Sequence, residues 1–223
     1  MKIDILTLFP DMIDGFLKES IIKRAIDAGK VEINLVNFRD YSTDTHNKVD
    51  DTPYGGGAGV VLMCDPIFRC IDDINKDKDA YIILMSPDGD KYNEKIVCKL
   101  RDKKHIIIIC GHYEGFDERI RSLCDAEISI GDFVLTGGEI PATAIVDSVV
   151  RLIPGVIDEE SLVSESFTDN RLDYPNYTKP RVYRGMEVPE VLVSGNHEEI
   201  DKYREKIRLE RTKDRRPDLL GDD

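Results

Sequence analysis

The chain has 223 residues, 41% hydrophobic and 34% charged, a balance that fits a globular protein and excludes a disordered or fibrous one. Acids outnumber bases by 44 to 31, a formal net charge of −13. That is opposite to the basic footprint of most nucleic-acid binders, so a polyanion would have to meet a local patch.

Residues 2–8 (KIDILTL) predict a buried strand, and 11–28 an amphipathic helix with Ile13, Leu17, Ile21, Ala25 and Ala28 on one stripe and Gly29 as its stop. Residues 31–36 predict a second strand. Residues 40–59 show no periodicity, and so long a loop in a compact domain is usually functional or disordered. A helix is expected from Asp65-Pro66, with proline at its first position. Residues 80–85 and 105–110 are continuous apolar strands of the kind covered on both faces in a parallel sheet. A helix at 92–102 lies between them, a short strand follows at 127–130, and an apolar helix spans 139–153. This alternation predicts an α/β domain with a parallel sheet over 1–157. Pro154-Gly155 ends the pattern. Polar residues 158–175 read as a flexible linker, and 176–223 as a small, mainly helical C-terminal domain with an acidic tip, Asp222-Asp223. Its main helix, 196–213, is capped by Asn196. Arg204, Arg208, Arg211 and Arg215 form a stripe along it, beside Ile200, Tyr203 and Ile207.

No apolar run approaches the roughly 18 residues of a membrane span. The N-terminus turns acidic before a secretory apolar region builds up, so a cytoplasmic chain without membrane partners is expected. The five cysteines are odd in number and contain no C-x-x-C pair, which suits buried thiols rather than disulfides or zinc. P-loop, ordinary dinucleotide-binding, α/β-hydrolase and zincin signatures are absent. Asn176-Tyr177-Thr178 matches a glycosylation acceptor without meaning in a cytosolic chain.

The positive signals are glycine-bearing loops. Four glycines crowd Pro53–Gly59, which lets a backbone approach a ligand closely. Leu84–Gly89 and Cys110–Gly115 leave the ends of predicted strands, and Ser129–Glu139 follows a third. Ligands in open α/β sheets bind beyond the carboxyl ends of the strands. The ordinary reading of each loop is a turn; three together point to a ligand site. Arg151 ends an apolar helix, where pairing with Asp147 is the ordinary reading. Glu165-Ser166-Phe167-Thr168-Asp169 lies in the linker, where carboxylates are usually only solvated. The arginine stripe is either a solvated face or a phosphate-contacting one.

The segments Asp50–Gly57, Cys110–Gly115, Ser129–Pro141, Arg151–Gly155 and Leu192–His197 together resemble the bacterial tRNA (guanine-N1)-methyltransferases, and the likeness runs from Phe9-Pro10 to Arg215-Arg216-Pro217. The resemblance implies a SPOUT-class α/β methyltransferase whose parallel sheet carries a deep trefoil knot. It implies a homodimer, the anticodon stem-loop of tRNA as partner, and S-adenosylmethionine as methyl donor. Magnesium is reported for the family. By position, donor contacts fall on Leu84, Met85, Ser86, Pro87, Gly111, His112, Tyr113, Glu114, Ile130, Gly131, Asp132, Phe133, Val134, Leu135, Gly137, Gly138 and Pro141. Substrate contacts fall on His46, Asp50, Gly55, Gly56, Gly57, Gly59, Ser166 and the four arginines. The family's usual aspartate before Ser-Phe, its general base, is Glu165 here; Asp169 is a rival, and Arg151 is the expected stabiliser of developing charge. A non-catalytic RNA-binding module is the alternative.

Overall fold

The computed structural model describes residues 1–163 and 165–221; the acidic tip lies outside them. A five-stranded sheet, parallel throughout, organises the first of two compact units, Met1–Ile157. Its chain order begins with β1 (Lys2–Thr7), α1 (Asp11–Leu17), α2 (Ser20–Asp27) and β2 (Glu32–Asn37). A small antiparallel pair follows, β3 (Asp50–Asp51) with β4 (Val61–Leu62), and then α3 (Cys64–Ile74). The unit is completed by β5 (Tyr81–Lys91), α4 (Glu94–Arg101), β6 (His105–Ile109), β7 (Ala126–Ser129) and α5 (Glu139–Val150). The strand order is β2-β1-β6-β5-β7.

The central strand β6 (HIIII) is buried along its whole length because helices cover both faces of the sheet. Ile3, Ile5, Ile106 and Ile108 pack into one core with Ile13, Ile22, Val97 and Ile145. Leu6, Leu84, Ile107 and Ile109 pack into the other with Phe38, Val49, Ile67 and Ile120. Strand alternation therefore splits one apolar run between two cores. Burial pushes the thiols of Cys70 and Cys124 up to about 12 and lifts Cys110 well above its ordinary value. These three act as packing groups, not nucleophiles.

Several expected boundaries shift. The single helix over 11–28 is two helices, because Ser20 takes a left-handed φ of 53°. The break resets the helical phase, so Ile22 and Ala25 enter the core and Ile21 is only half-buried. Pro66 is the third residue of α3, not its first, which a first turn tolerates equally since its N–H has no intrahelical partner there. The Leu84–Gly89 loop lies inside β5, which continues to Lys91 after a register shift against β7 between Met85 and Asp90. The extra residues bulge from the strand end. A Cβ on Gly89 would collide with the Ile128 backbone nitrogen, so the bulge closes only over glycine. The aperiodic stretch 40–59 is anchored by fully buried Phe38 and Val49 on one side and by the β3–β4 pair on the other.

The second unit begins at Asp158. It contains α6 (Glu159–Val163), the hairpin strands β8 (Val182–Tyr183) and β9 (Met186–Glu187), and α7 (His197–Arg215). The Asn196 side chain caps α7 by accepting from the Glu199 N–H. Residues 158–175, read as a linker from composition, carry α6 and bond to α7. The Leu172 N–H donates to Thr212 Oγ1 at 3.0 Å, and Arg171 pairs with Glu205 at 3.0 Å.

Candidate active site

Beyond the carboxyl ends of β6 and β7, beside the bulge within β5, lies a cleft of about 400 Å³. It is lined by the β5 bulge (Met85–Asp88), the Gly111–Phe116 loop and the 128–138 loop, with Pro141 and Arg121 completing the wall. Every expected donor contact lines it except two. Leu84 is buried within β5, and Asp132 is turned toward Lys91 at 3.4 Å. Sequence reasoning missed Arg121 and Phe116, and reached Asp88 only as part of the Leu84–Gly89 loop. Arg121 binds Asp88 at 2.9 Å and Glu118 at 3.0 Å, and also pairs with Glu127. It thereby ties the bulge to the turn after β6, from a segment (ERIRSL) that looks like any charged turn.

The glycines allow the loops to meet. The Gly138 N–H donates to the Gly111 carbonyl at 2.9 Å. A Cβ on Gly138 would fall 2.6 Å from Cys110 Cα, which is backbone and cannot give way. A Cβ on Gly137 would strike the His112 ring, and one on Gly111 the Phe116 ring at 2.5 Å. Gly131 has φ +154°, and its Cβ would meet the Phe133 ring at 2.6 Å. The close-packed glycines bring backbone amides and carbonyls to the cleft wall, beside apolar side chains and the charged Asp88, Glu114 and Arg121.

Beneath the loops is a buried polar chain that sequence reasoning did not single out. Glu139, 1% exposed in the first turn of α5, accepts from Thr7 Oγ1 at 2.5 Å and faces His112 Nε2 at 2.7 Å. Thr7 Oγ1 in turn accepts from the Phe9 N–H at 2.9 Å, and the Phe9 ring packs edge-on to His112 at 4.5 Å. A buried carboxylate is tolerated only when paired, and the helix N-terminus favours it further. This chain fixes His112, and through it the Gly111–Tyr113 backbone; Tyr113 takes a left-handed φ of 60°.

The glycine-rich loop is hung on the cleft rim. The Glu114 N–H donates to the Val60 carbonyl at 3.1 Å, and the Leu62 N–H to the Gly115 carbonyl at 2.9 Å. Gly59 packs so closely on Glu114 that a Cβ would lie 2.5 Å from Glu114 Cγ. Gly55, Gly56 and Gly57 all have positive φ, and Tyr54 between them and the β3 strand is fully exposed. Asp50 lies in β3. His46 sits in an exposed turn, its N–H donating to Asp44 Oδ1 at 2.8 Å.

The profile of the family described as tRNA (Guanine-1)-methyltransferase TrmD matches residues 1–222. The chain belongs to that family. A tRNA (guanine-N(1)-)-methyltransferase of Staphylococcus epidermidis is 54% identical over 222 residues, covering 99% of this chain and 91% of the relative. Relatives of the same name from Carboxydothermus hydrogenoformans and Malacoplasma penetrans are each 55% identical over 99% of this chain, covering 87% and 97% of their own lengths.

The other residues that the family likeness singled out are divided between the two units. Arg151 caps the end of α5 in the first unit; Glu165, Ser166 and Asp169 belong to the second. Ser166 Oγ accepts from the Asp173 N–H at 2.9 Å. Asp169 is engaged by Arg208 at 2.6 Å, which weakens its candidacy as a general base. The arginine stripe is not one open face. The Arg208 side chain is 7% exposed and clamped between Asp169 and Glu205, so it braces the unit instead of meeting phosphate. Arg204 stacks on the Tyr174 ring at 4.6 Å. Arg215 is exposed and Arg211 half-buried. Helical spacing placed the four in register, but only the fold shows which sector of α7 turns inward.

Proposed function

We propose that this chain transfers a methyl group from S-adenosylmethionine to N1 of guanosine 37, the nucleotide 3′ of the anticodon in tRNA. The observation that supports this most is the cleft whose loops close only over glycine, in a chain of this family. A volume of about 400 Å³ with backbone hydrogen-bonding groups and apolar walls suits an adenosine-bearing ligand. S-adenosylmethionine supplies an electrophilic methyl on a sulfonium, which leaves as a neutral thioether.

The acceptor nitrogen holds a proton at neutral pH and is a poor nucleophile until it leaves. Glu165 takes that proton as the N1–carbon bond forms. The negative charge that builds toward O6 as the proton leaves, before the new N1–carbon bond neutralises it, is stabilised by the Arg151 guanidinium. His46, Asp50, Ser166 and the glycines of 55–59 hold the base, splayed from a single-stranded loop at lower cost than from a duplex. Alignment of the two reactants supplies much of the acceleration. Arg211 and Arg215 contact phosphate along the anticodon stem. The same reading takes the Ser129–Pro141 region as threaded in the family's trefoil knot, the working unit as a homodimer, and its compartment as the cytoplasm. Among the described residues no three His, Cys, Asp or Glu side chains converge on a metal position, and magnesium is assigned no residue in these steps. No helix of the described residues is long and apolar enough to cross a membrane.

The test is methyl transfer from labelled donor to tRNA transcripts carrying G or A immediately 3′ of the anticodon. Label is expected only in the G transcript, as 1-methylguanosine. Equal labelling of both, or turnover of free nucleotides alone, would overturn the proposal.

A further inference from the structure

The second unit holds a cavity of its own, about 610 Å³, of whose lining only Arg204 has been given a role above. Its apolar lining is Val188, Leu192, Val193 and Ile200, of which Ile200 is 8% and Val193 48% exposed. It is also lined by two tyrosines, Tyr174 and Tyr177, and three cations, Lys179, Arg181 and Arg204. No acidic side chain lines it, in a chain with 44 acids. Arg181 lies 3.9 Å from Glu190 and Arg204 3.8 Å from Asp201, separations at which exposed pairs bind weakly. Arg204 stacks on Tyr174 at 4.6 Å, which pins its guanidinium at the cavity wall. Its Nε is buried and has no acceptor among the described residues. Tyr177 is 49% exposed.

An apolar lining, an open aromatic face and a cluster of cations make a chemical match for one nucleotide: base on the ring, phosphate on the cations. We propose that this cavity is a subsite for a single unpaired nucleotide of the RNA substrate, separate from the donor cleft. The base stacks on Tyr177, and its phosphate lies among Lys179, Arg181 and Arg204. The inference rests on the reading of the chain as an RNA-modifying enzyme. It adds one shaped, acid-free pocket to the phosphate contacts of Arg211 and Arg215 by which an acidic protein grips a polyanion. It also gives a role to the Asn176-Tyr177-Thr178 segment, which carried none as a glycosylation pattern.

The test uses the full chain and tRNA transcripts in which each unpaired nucleotide is made abasic in turn, with affinity measured by fluorescence anisotropy. Tyr177→Ala should weaken tRNA binding by roughly 5- to 150-fold, the loss expected for one stacked base. Tyr177→Trp should restore it. One abasic position should weaken wild-type binding by a similar factor and have no further effect in Tyr177→Ala, because both lesions remove the same contact. Lys179→Ala with Arg181→Ala should flatten the dependence of log affinity on log salt by about 0.7 per lost phosphate contact. Thermal melting of each variant separates a lost contact from a lost fold. Unchanged affinity in Tyr177→Ala, or losses that add at every abasic position, would overturn the subsite while leaving the methylation reading intact. A wild-type chain that neither bound nor methylated tRNA would overturn both. A cavity built for a protein segment would show as unchanged RNA binding in all variants.

Discussion

Glu139 is the residue on which the donor cleft turns. Its carboxylate reaches Thr7 and His112 at once, partners 132 and 27 positions away in the chain. Nothing local marks it: an acid in the first turn of an apolar helix is ordinary dipole chemistry. The glycines around it were legible because a run such as Leu135-Thr136-Gly137-Gly138 declares close backbone approach by itself; the buried chain beneath is created only by tertiary packing. Glu139→Ala should strand the Thr7 hydroxyl and the His112 ring, destabilising the protein by about 2–4 kcal/mol in urea denaturation. Donor affinity should fall with it, since the Gly111–Tyr113 backbone loses its anchor. Glu139→Gln keeps the shape and one acceptor, and should cost about 1 kcal/mol.

Elements were legible where periodicity was strong and blurred where one residue altered the phase. The isoleucine run of β6 and the alternation of strands with helices gave the parallel sheet. The break at Ser20 was hidden, since a left-handed serine leaves no trace in the hydrophobic pattern. The β5 bulge looked like a loop because Ser86-Pro87-Asp88-Gly89 carries turn residues; the strand resumes only because β7 offers a partner on the far side. In α7 the arginines share helical spacing but not a role. Arg208→Ala should cost about 1–2 kcal/mol of stability, mostly as lost packing of the buried arginine, because Asp169 and Glu205 are exposed enough to be solvated and Glu205 keeps Arg171. Arg215→Ala should leave the melting temperature within a degree or two and weaken tRNA binding. In α1, a Cβ added at Gly15 would meet nothing within 4 Å, and the backbone there is ordinary helix. Gly15→Ala should therefore stabilise the chain by about 0.5–1 kcal/mol, read in the same denaturation experiment.

At the scale of the whole molecule, where the fold divides after Ile157, composition marks a change of character at Pro154-Gly155, where the alternation of strands and helices stops. It also took 158–175 as linker, since bonds from there to α7 depend on residues some 40 positions apart, such as Leu172 and Thr212. The proposed catalytic groups divide between the first unit (Arg151 and the donor loops) and the second (Glu165). A homodimer with composite sites would let damaged copies complement each other. Mixing Gly131→Val with Glu165→Gln chains should restore part of the methyl transfer that each lacks alone; no recovery after verified subunit exchange would argue for sites complete within one chain. All of this presupposes that the β5 bulge and the loops at the ends of β6 and β7 hold the donor, and calorimetry of S-adenosylmethionine binding tests that directly. Wild-type protein should bind one donor per site, whereas Gly131→Val, which places a branched side chain at φ +154° against the Phe133 ring, should remain folded and show no binding heat. A folded Gly131→Val variant that bound S-adenosylmethionine with wild-type affinity would contradict the assignment of this cleft.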